Sequence, residues 1–150
     1  QAKFIGKKTG VSSDVAIQIT RTTDGSTGSK LTMGEKMLFD AGSAELKESV
    51  FPVLDKIIEI LNQYTDTTVR IEGHTDNIPI KSGSGFSSNL ELSSIRAKNV
   101  FNYFAKKGKI PVERMKMEGF GDTKPVTLNT TEEGRAQNRR VEIIITGQQK

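Results

Sequence analysis

The chain reads as an α+β protein: a two-layer sandwich in which helices cover one face of a mixed β-sheet. Strand-like alternation of apolar residues recurs in "VAIQIT", "TVRIEG" and "RRVEIIIT". Between these lie two stretches whose apolar residues fall three and four apart, the spacing that stacks side chains on one helix face. The order β-β-α-β-α-β-turn-β interleaves the two kinds of segment, so the helices are expected to pack on the sheet rather than on one another.

Each element has its own local reason. Residues 1–13, "QAKFIGKKTGVSS", are polar, glycine-bearing and without period, and read as a linker remnant. Val15, Ile17 and Ile19 then alternate as a strand, "TTDGSTGSK" reads as a turn through Asp24-Gly25 and Gly28, and a second strand is expected within Leu31 to Phe39, interrupted by Gly34. These pieces form an N-terminal linker and hairpin extension over residues 1–36, leaving 37–150 as the main domain.

From about Lys47, Val50, Leu54, Ile57, Ile58 and Leu61 take helical spacing. Pro52 fits only in the first turn, where its missing N–H has no intrahelical partner, and Ser49 is the expected cap. "TVRIEG" follows as a strand, "NIPIKSGSGFSS" as a loop, and a second helix runs from about Asn89 to Lys106, closing at Gly108. "RMKMEGFG" makes a third core strand, "NTTEEGRAQN" a polar turn holding a short helical piece, and "RRVEIIIT" the last strand.

Composition narrows the function. With 22 basic and 18 acidic residues interspersed along 150, the net charge of +4 suits solubility and mild attraction to anionic surfaces rather than nucleic-acid binding. The absence of cysteine removes thiol catalysis, disulfides and cysteine-ligated metal, and a single histidine excludes a His-rich metal site. No cofactor motif occurs: "GFGD" is not followed by Gly-Lys-Ser/Thr. The apolar runs, such as "VFPVLDKIIEIL", are broken by charge and fall short of the roughly 18 residues a membrane span needs. Because the chain starts at Gln1, an N-terminal part is expected to have been removed.

One residue stands out on the second helix. At about 100° per residue, Leu92, Tyr103, Val100, Phe104 and Ala97 define a buried arc, and Arg96 falls inside it. Phe101 lies at the edge of the arc. A guanidinium aimed at an apolar layer stays charged, so it demands a carboxylate, a carbonyl or an anionic ligand. Asp76, three residues past Gly73 at the end of the "TVRIEG" strand, can reach the same crevice. Two readings follow. The pair forms an internal salt bridge, or both face an open crevice and hold a zwitterion, the arginine on a carboxylate and the aspartate on an ammonium.

"GHTD", then "NLELSSIRAKNVFNYF", "GFGDTKP" and "GRAQNRRVEI", occur in an order that resembles the OmpA-like peptidoglycan-binding family over roughly residues 37–146. Within it, "MLFDAGSAELKES", "HTDNIPI" and "FSSNLELSSIRA" are most similar to MotB-type proteins, which anchor flagellar stators to the cell wall. The resemblance implies a β-α-β-α-β-β core and non-catalytic binding of diaminopimelate in the peptidoglycan stem peptide. It assigns the ligand's amine to Asp76 and its carboxylate to Arg96. It further implies a periplasmic domain of a single-pass inner-membrane protein, homodimeric, working with a MotA-type stator subunit through a membrane helix that the chain lacks.

Around that pair, Thr75 is expected to help through its hydroxyl or backbone, Asn89 to orient the loop, and Ser93 to donate a hydrogen bond, while Leu92 reads as core. Arg139 and Arg140 enter the last strand on opposite faces, so one of them is expected to brace the crevice or to pair with a buried carboxylate, and Arg140 is the choice for the ligand crevice. His74 reads as structural or as a rim contact. Glu72 with Asp76 is a conceivable glycosidase pair, but Glu72 reads as a solvated strand carboxylate, which disfavours a hydrolase. The alternative from another class is a structural or oligomerisation module of an envelope protein whose Asp76 and Arg96 pair internally.

Overall fold

The structure, a computed structural model, describes residues 15–21 and 27–147, with side chains described from residue 28 onward. Strands β1 (Val15–Arg21) and β2 (Thr27–Gly34) form an antiparallel hairpin whose turn lies outside the described residues. A one-turn helix, α1 (Glu35–Leu38), follows at once. The second strand therefore lies earlier than its apolar residues suggested, and Met37 to Phe39 belong to the turn of chain that leaves it. β2 also pairs with the last strand and contributes Leu31 and Met33 to the core, so the sheet runs across the boundary drawn at residue 36.

A 3-10 turn (Glu48–Val50) leads into α2 (Phe51–Gln63). Ser49 does not cap this helix: it sits inside the 3-10 turn, Val50 holds the cap position, and Pro52 occupies the first turn as expected. Leu54, Ile57, Ile58 and Leu61 of α2 are buried, on the face their spacing selects. Strand β3 (Thr67–His74), helix α3 (Asn89–Lys106), strand β4 (Met115–Gly119), helix α4 (Glu132–Asn138) and strand β5 (Arg140–Gly147) complete the order.

Among the described residues the sheet has five strands in the order β1-β2-β5-β3-β4. Of these, β3 and β4 pair in parallel and the other neighbours are antiparallel. The last strand is thus inserted between β2 and β3, which run in the same direction on either side of it. Alternation sorts the two faces. Leu31, Met33, Val69, Ile71, Val141, Ile143 and Ile145 meet α2 and α3 in one core, whereas Arg70, Glu72, His74, Arg140 and Glu142 turn the other way.

Helix α3 begins with reciprocal capping: Ser88 Oγ accepts from the Glu91 N–H at 3.0 Å, and the Glu91 carboxylate accepts from the Ser87 N–H at 2.6 Å. Its buried residues are Leu92, Ser93, Arg96, Ala97, Val100 and Phe104. Tyr103 is half-buried, stacked on Phe51 at 4.8 Å and donating to Asp55, and Phe101 packs at the edge of the core. Beyond the helix the left-handed residue is Lys109, with φ 56°, rather than Gly108. Gly108 is small for another reason: a Cβ there would press on Ile58 and the Phe104 carbonyl.

Candidate ligand-binding site

The site is built where α3 touches the ends of β3 and β4. A Cβ on Gly73 would overlap the Ser93 carbonyl oxygen, and one on Gly119 would overlap the backbone of Ser94, so two glycines let the helix lie directly on the strands. Ser93 locks this contact. Its hydroxyl donates to the Leu90 carbonyl at 3.0 Å and accepts from the Gly121 N–H at 2.9 Å. Ser93 is fully buried and does not line the crevice, so the hydrogen bond expected of it goes to the protein's own backbone.

Past β3, the Thr75 N–H donates to the Gly121 carbonyl at 2.8 Å and its hydroxyl to the Asp76 carbonyl at 2.7 Å. Asp76 Oδ1 accepts from the Ile78 N–H at 3.0 Å, and Asn89 Nδ2 donates to the Ile78 carbonyl at the same distance. Asn89, at the start of α3, is thus hydrogen-bonded to the loop that follows Asp76.

Asp76 and Arg96 line one open cavity of about 1070 Å³, together with Thr75 and Asn89. They do not bond to each other. Asp76 Oδ2 accepts from Arg139 Nη1 at 2.8 Å. Arg96 donates through Nε to the Ser43 carbonyl at 2.8 Å and through Nη2 to Glu35 at 2.9 Å, and it lies over the Phe39 ring at 4.6 Å from the centroid. Among the described residues its third nitrogen, Nη1, has no hydrogen-bond partner. Burial pushes the Arg96 guanidinium below its ordinary range, with Glu35 opposing this, so the charge is held against a real desolvation cost.

Arg139 is the arginine that sequence reasoning did not choose. Nε donates to Glu35 at 3.0 Å, Nη1 to Asp76, and Nη2 to Glu132 at 2.6 Å. Burial alone would lower its pKa, but its bonds to Glu132 and Asp76 and the nearby Glu35 charge more than offset this and raise it. Arg140 faces away from the cavity. It is buried on the opposite side of the sheet, donating to Glu142 at 2.7 Å and to the Asn138 and Lys124 carbonyls. The two arginines do part, but not by alternation within one strand: Arg139 caps α4, and β5 begins only at Arg140.

The opposite face of the sheet carries Glu72, His74 and Glu142, mutually close enough to ligate a metal. The charge balance argues otherwise. Glu72 accepts from Arg70 at 2.6 Å, Glu142 from Arg140, and Lys30 lies 3.8 Å from Glu142, so a dication would join three cations. His74 Nε2 lies 3.2 Å from Glu72, and among the described residues its buried Nδ1 has no outer partner of the kind a ligating histidine normally has. Phe120 stacks on the imidazole at 5.3 Å. Glu72 is therefore a buried, ion-paired carboxylate rather than a solvated one. The His74 hydrogen bond, with Arg70 adding to it against the effect of burial, holds its pKa down to about 2.

The OmpA family model matches residues 38–139. The chain belongs to the OmpA family. Motility protein B of Bacillus subtilis is 38% identical over 120 residues, covering 80% of this chain and 46% of the relative, so the OmpA-family chain described here spans about half the length of that curated relative. Among solved structures, a putative MotB-like protein from Desulfovibrio vulgaris superposes with a TM-score of 0.87 at 26% identity, covering 98% of this chain and 90% of the other. The cell wall anchor of the type VI secretion system from Pseudomonas aeruginosa gives 0.79 at 32% identity, covering 90% and 89%. The α+β architecture is shared with these two structures, and the resemblance to MotB periplasmic domains read from the motifs stands.

Proposed function

We propose that this domain binds peptidoglycan without chemistry, through the diaminopimelate residue of the stem peptide, and anchors a membrane complex to the cell wall. The observation that carries the proposal is that Asp76 and Arg96 line one open cavity yet are not bonded to each other. A carboxylate and a guanidinium facing a shared space match the ammonium and carboxylate on the side-chain carbon of diaminopimelate. Asp76 takes the ammonium, Arg96 offers Nη1 to the carboxylate, and Thr75 and Asn89 hold the loop between them. Glu35, Asp76 and Glu132 are each engaged by arginines, which suits binding rather than proton transfer.

Similarity to a motility protein and to a cell wall anchor supports the anchoring role. In this reading the domain lies in the periplasm as part of a MotB-type stator protein, is homodimeric, and works with a MotA-type subunit. The test is calorimetric titration with the tripeptide L-Ala-γ-D-Glu-meso-diaminopimelate. The wild-type domain binds it; Asp76→Ala and Arg96→Ala each lose binding because one ligand charge is left unmatched; the lysine tripeptide, lacking the second carboxylate, binds more weakly. Retained affinity in both variants would end the assignment.

A second reading has its own observation. Asp76 and Arg96 each already hold a protein ion pair, with Arg139 and Glu35, as a purely structural module of an envelope protein would require. Absence of any heat with the diaminopimelate tripeptide would favour it.

A further inference from the structure

We propose that Glu35 is the positioning residue of this site: it decides which edge of Arg96 faces the cavity and ties that arginine to Asp76. The inference rests on the reading of Asp76 and Arg96 as the ligand contacts. A guanidinium has three nitrogens, and here two are spoken for. Ser43 takes Nε, Glu35 takes Nη2, and Phe39 lies beneath the plane, so position, tilt and rotation are all set and Nη1 is the edge left over.

Glu35 does a second thing with its other oxygen. Oε1 accepts from Arg139 Nε at 3.0 Å, and Arg139 Nη1 donates to Asp76 at 2.8 Å. One carboxylate therefore stands between the two ligand contacts in the chain Arg96, Glu35, Arg139, Asp76. Its side chain is 13% exposed and it lines the cavity, so the link runs along the wall of the site itself. Glutamine has the same shape but turns one of the two oxygens into an NH2 donor, which would face one of the two arginines donor to donor. Without the carboxylate, a buried guanidinium seeks other partners and Nη1 no longer points at one place.

The experiment compares wild type, Glu35→Gln and Glu35→Asp by titration with the diaminopimelate tripeptide and with its lysine counterpart, after circular dichroism confirms that each is folded. The two ligands differ by one carboxylate, so the ratio of their affinities reports the Arg96 contact alone, and a loss of stability in the folded fraction does not move it. Glu35→Gln should lower the ratio about tenfold, the scale of one hydrogen bond to a charged group. Glu35→Asp, which keeps the charge but is a methylene shorter, should fall between. An unchanged ratio in folded Glu35→Gln would overturn the proposal, as would a raised one, which would make Glu35 a competitor of the ligand carboxylate. If Glu35→Gln does not fold, Glu35→Asp decides in the same way. Failure of the underlying reading looks different: wild type shows no preference between the tripeptides, or Arg96→Ala keeps it.

Discussion

Adding one methyl group at Gly73 should lever α3 off the sheet and weaken both stability and binding. The new Cβ would overlap the Ser93 carbonyl oxygen and lie 3.0 Å from its carbon, and both are backbone atoms that no rotamer change can move aside. Relief needs a shift of about 1 Å between helix and strand, and overpacking of that kind costs about 1–3 kcal/mol. For a domain of this size the cost lowers Tm by about 3–10 °C. Arg96 lies about one turn beyond Ser93 and Asp76 lies just beyond Gly73, so the same shift changes the span between the two ligand contacts. Thermal unfolding and tripeptide titration of Gly73→Ala measure the two effects. Gly34→Ala is the control, because nothing lies within 4 Å of its Cβ and its φ of −73° suits any residue. A Gly73→Ala protein with the wild-type Tm and affinity would refute the close-packing argument.

Three further outcomes follow from the same geometry. Glu72 titrates lower folded than its ordinary value of 4.5, so its contribution, on the order of 2–3 kcal/mol, is complete above about pH 4.5 and is lost as pH falls toward 2; Glu72→Gln should flatten that acid limb in denaturant titrations run at several pH values. Arg140→Ala leaves Glu142 without its 2.7 Å partner and should cost about 3–5 kcal/mol in urea unfolding, while the folded fraction keeps its tripeptide affinity because Arg140 does not line the cavity. Asn89→Ala releases the Ile78 carbonyl and should weaken tripeptide binding severalfold with a change in Tm of only a few degrees, since the bond is at the exposed rim.

The helix-face argument placed Arg96 inside an apolar arc, and it is 3% exposed there. That worked because helical phase is a local property that a few apolar positions define. His74 also fell on the side of β3 away from Ile71, as alternation requires. Glu72 was placed on the right face but wrongly left to solvent: Arg70 and His74, two residues to either side, hold its carboxylate, and alternation shows that they share a face without showing that they pair. Glu35 and Arg139 escaped for a different reason. Their roles consist of ion pairs 61, 63 and 104 residues apart in the chain, and no local spacing encodes such a pairing. A faint signal existed, because a buried arginine demands a carboxylate, but several acidic residues could have answered it.

By itself, the amino-acid order determined the periodic segments, the face that α3 buries, the need for a counter-charge at Arg96, and the family through motifs spread along the chain. Those are matters of residue type and short-range phase. Tertiary structure alone decided that β5 slides between β2 and β3, that Arg139 rather than Arg140 enters the cavity, and that Glu35 stands between two arginines. Strand order and ion pairing depend on which distant surfaces meet, and a backbone groove such as the one Gly73 and Gly119 leave for Ser93 and Ser94 exists only once they have met.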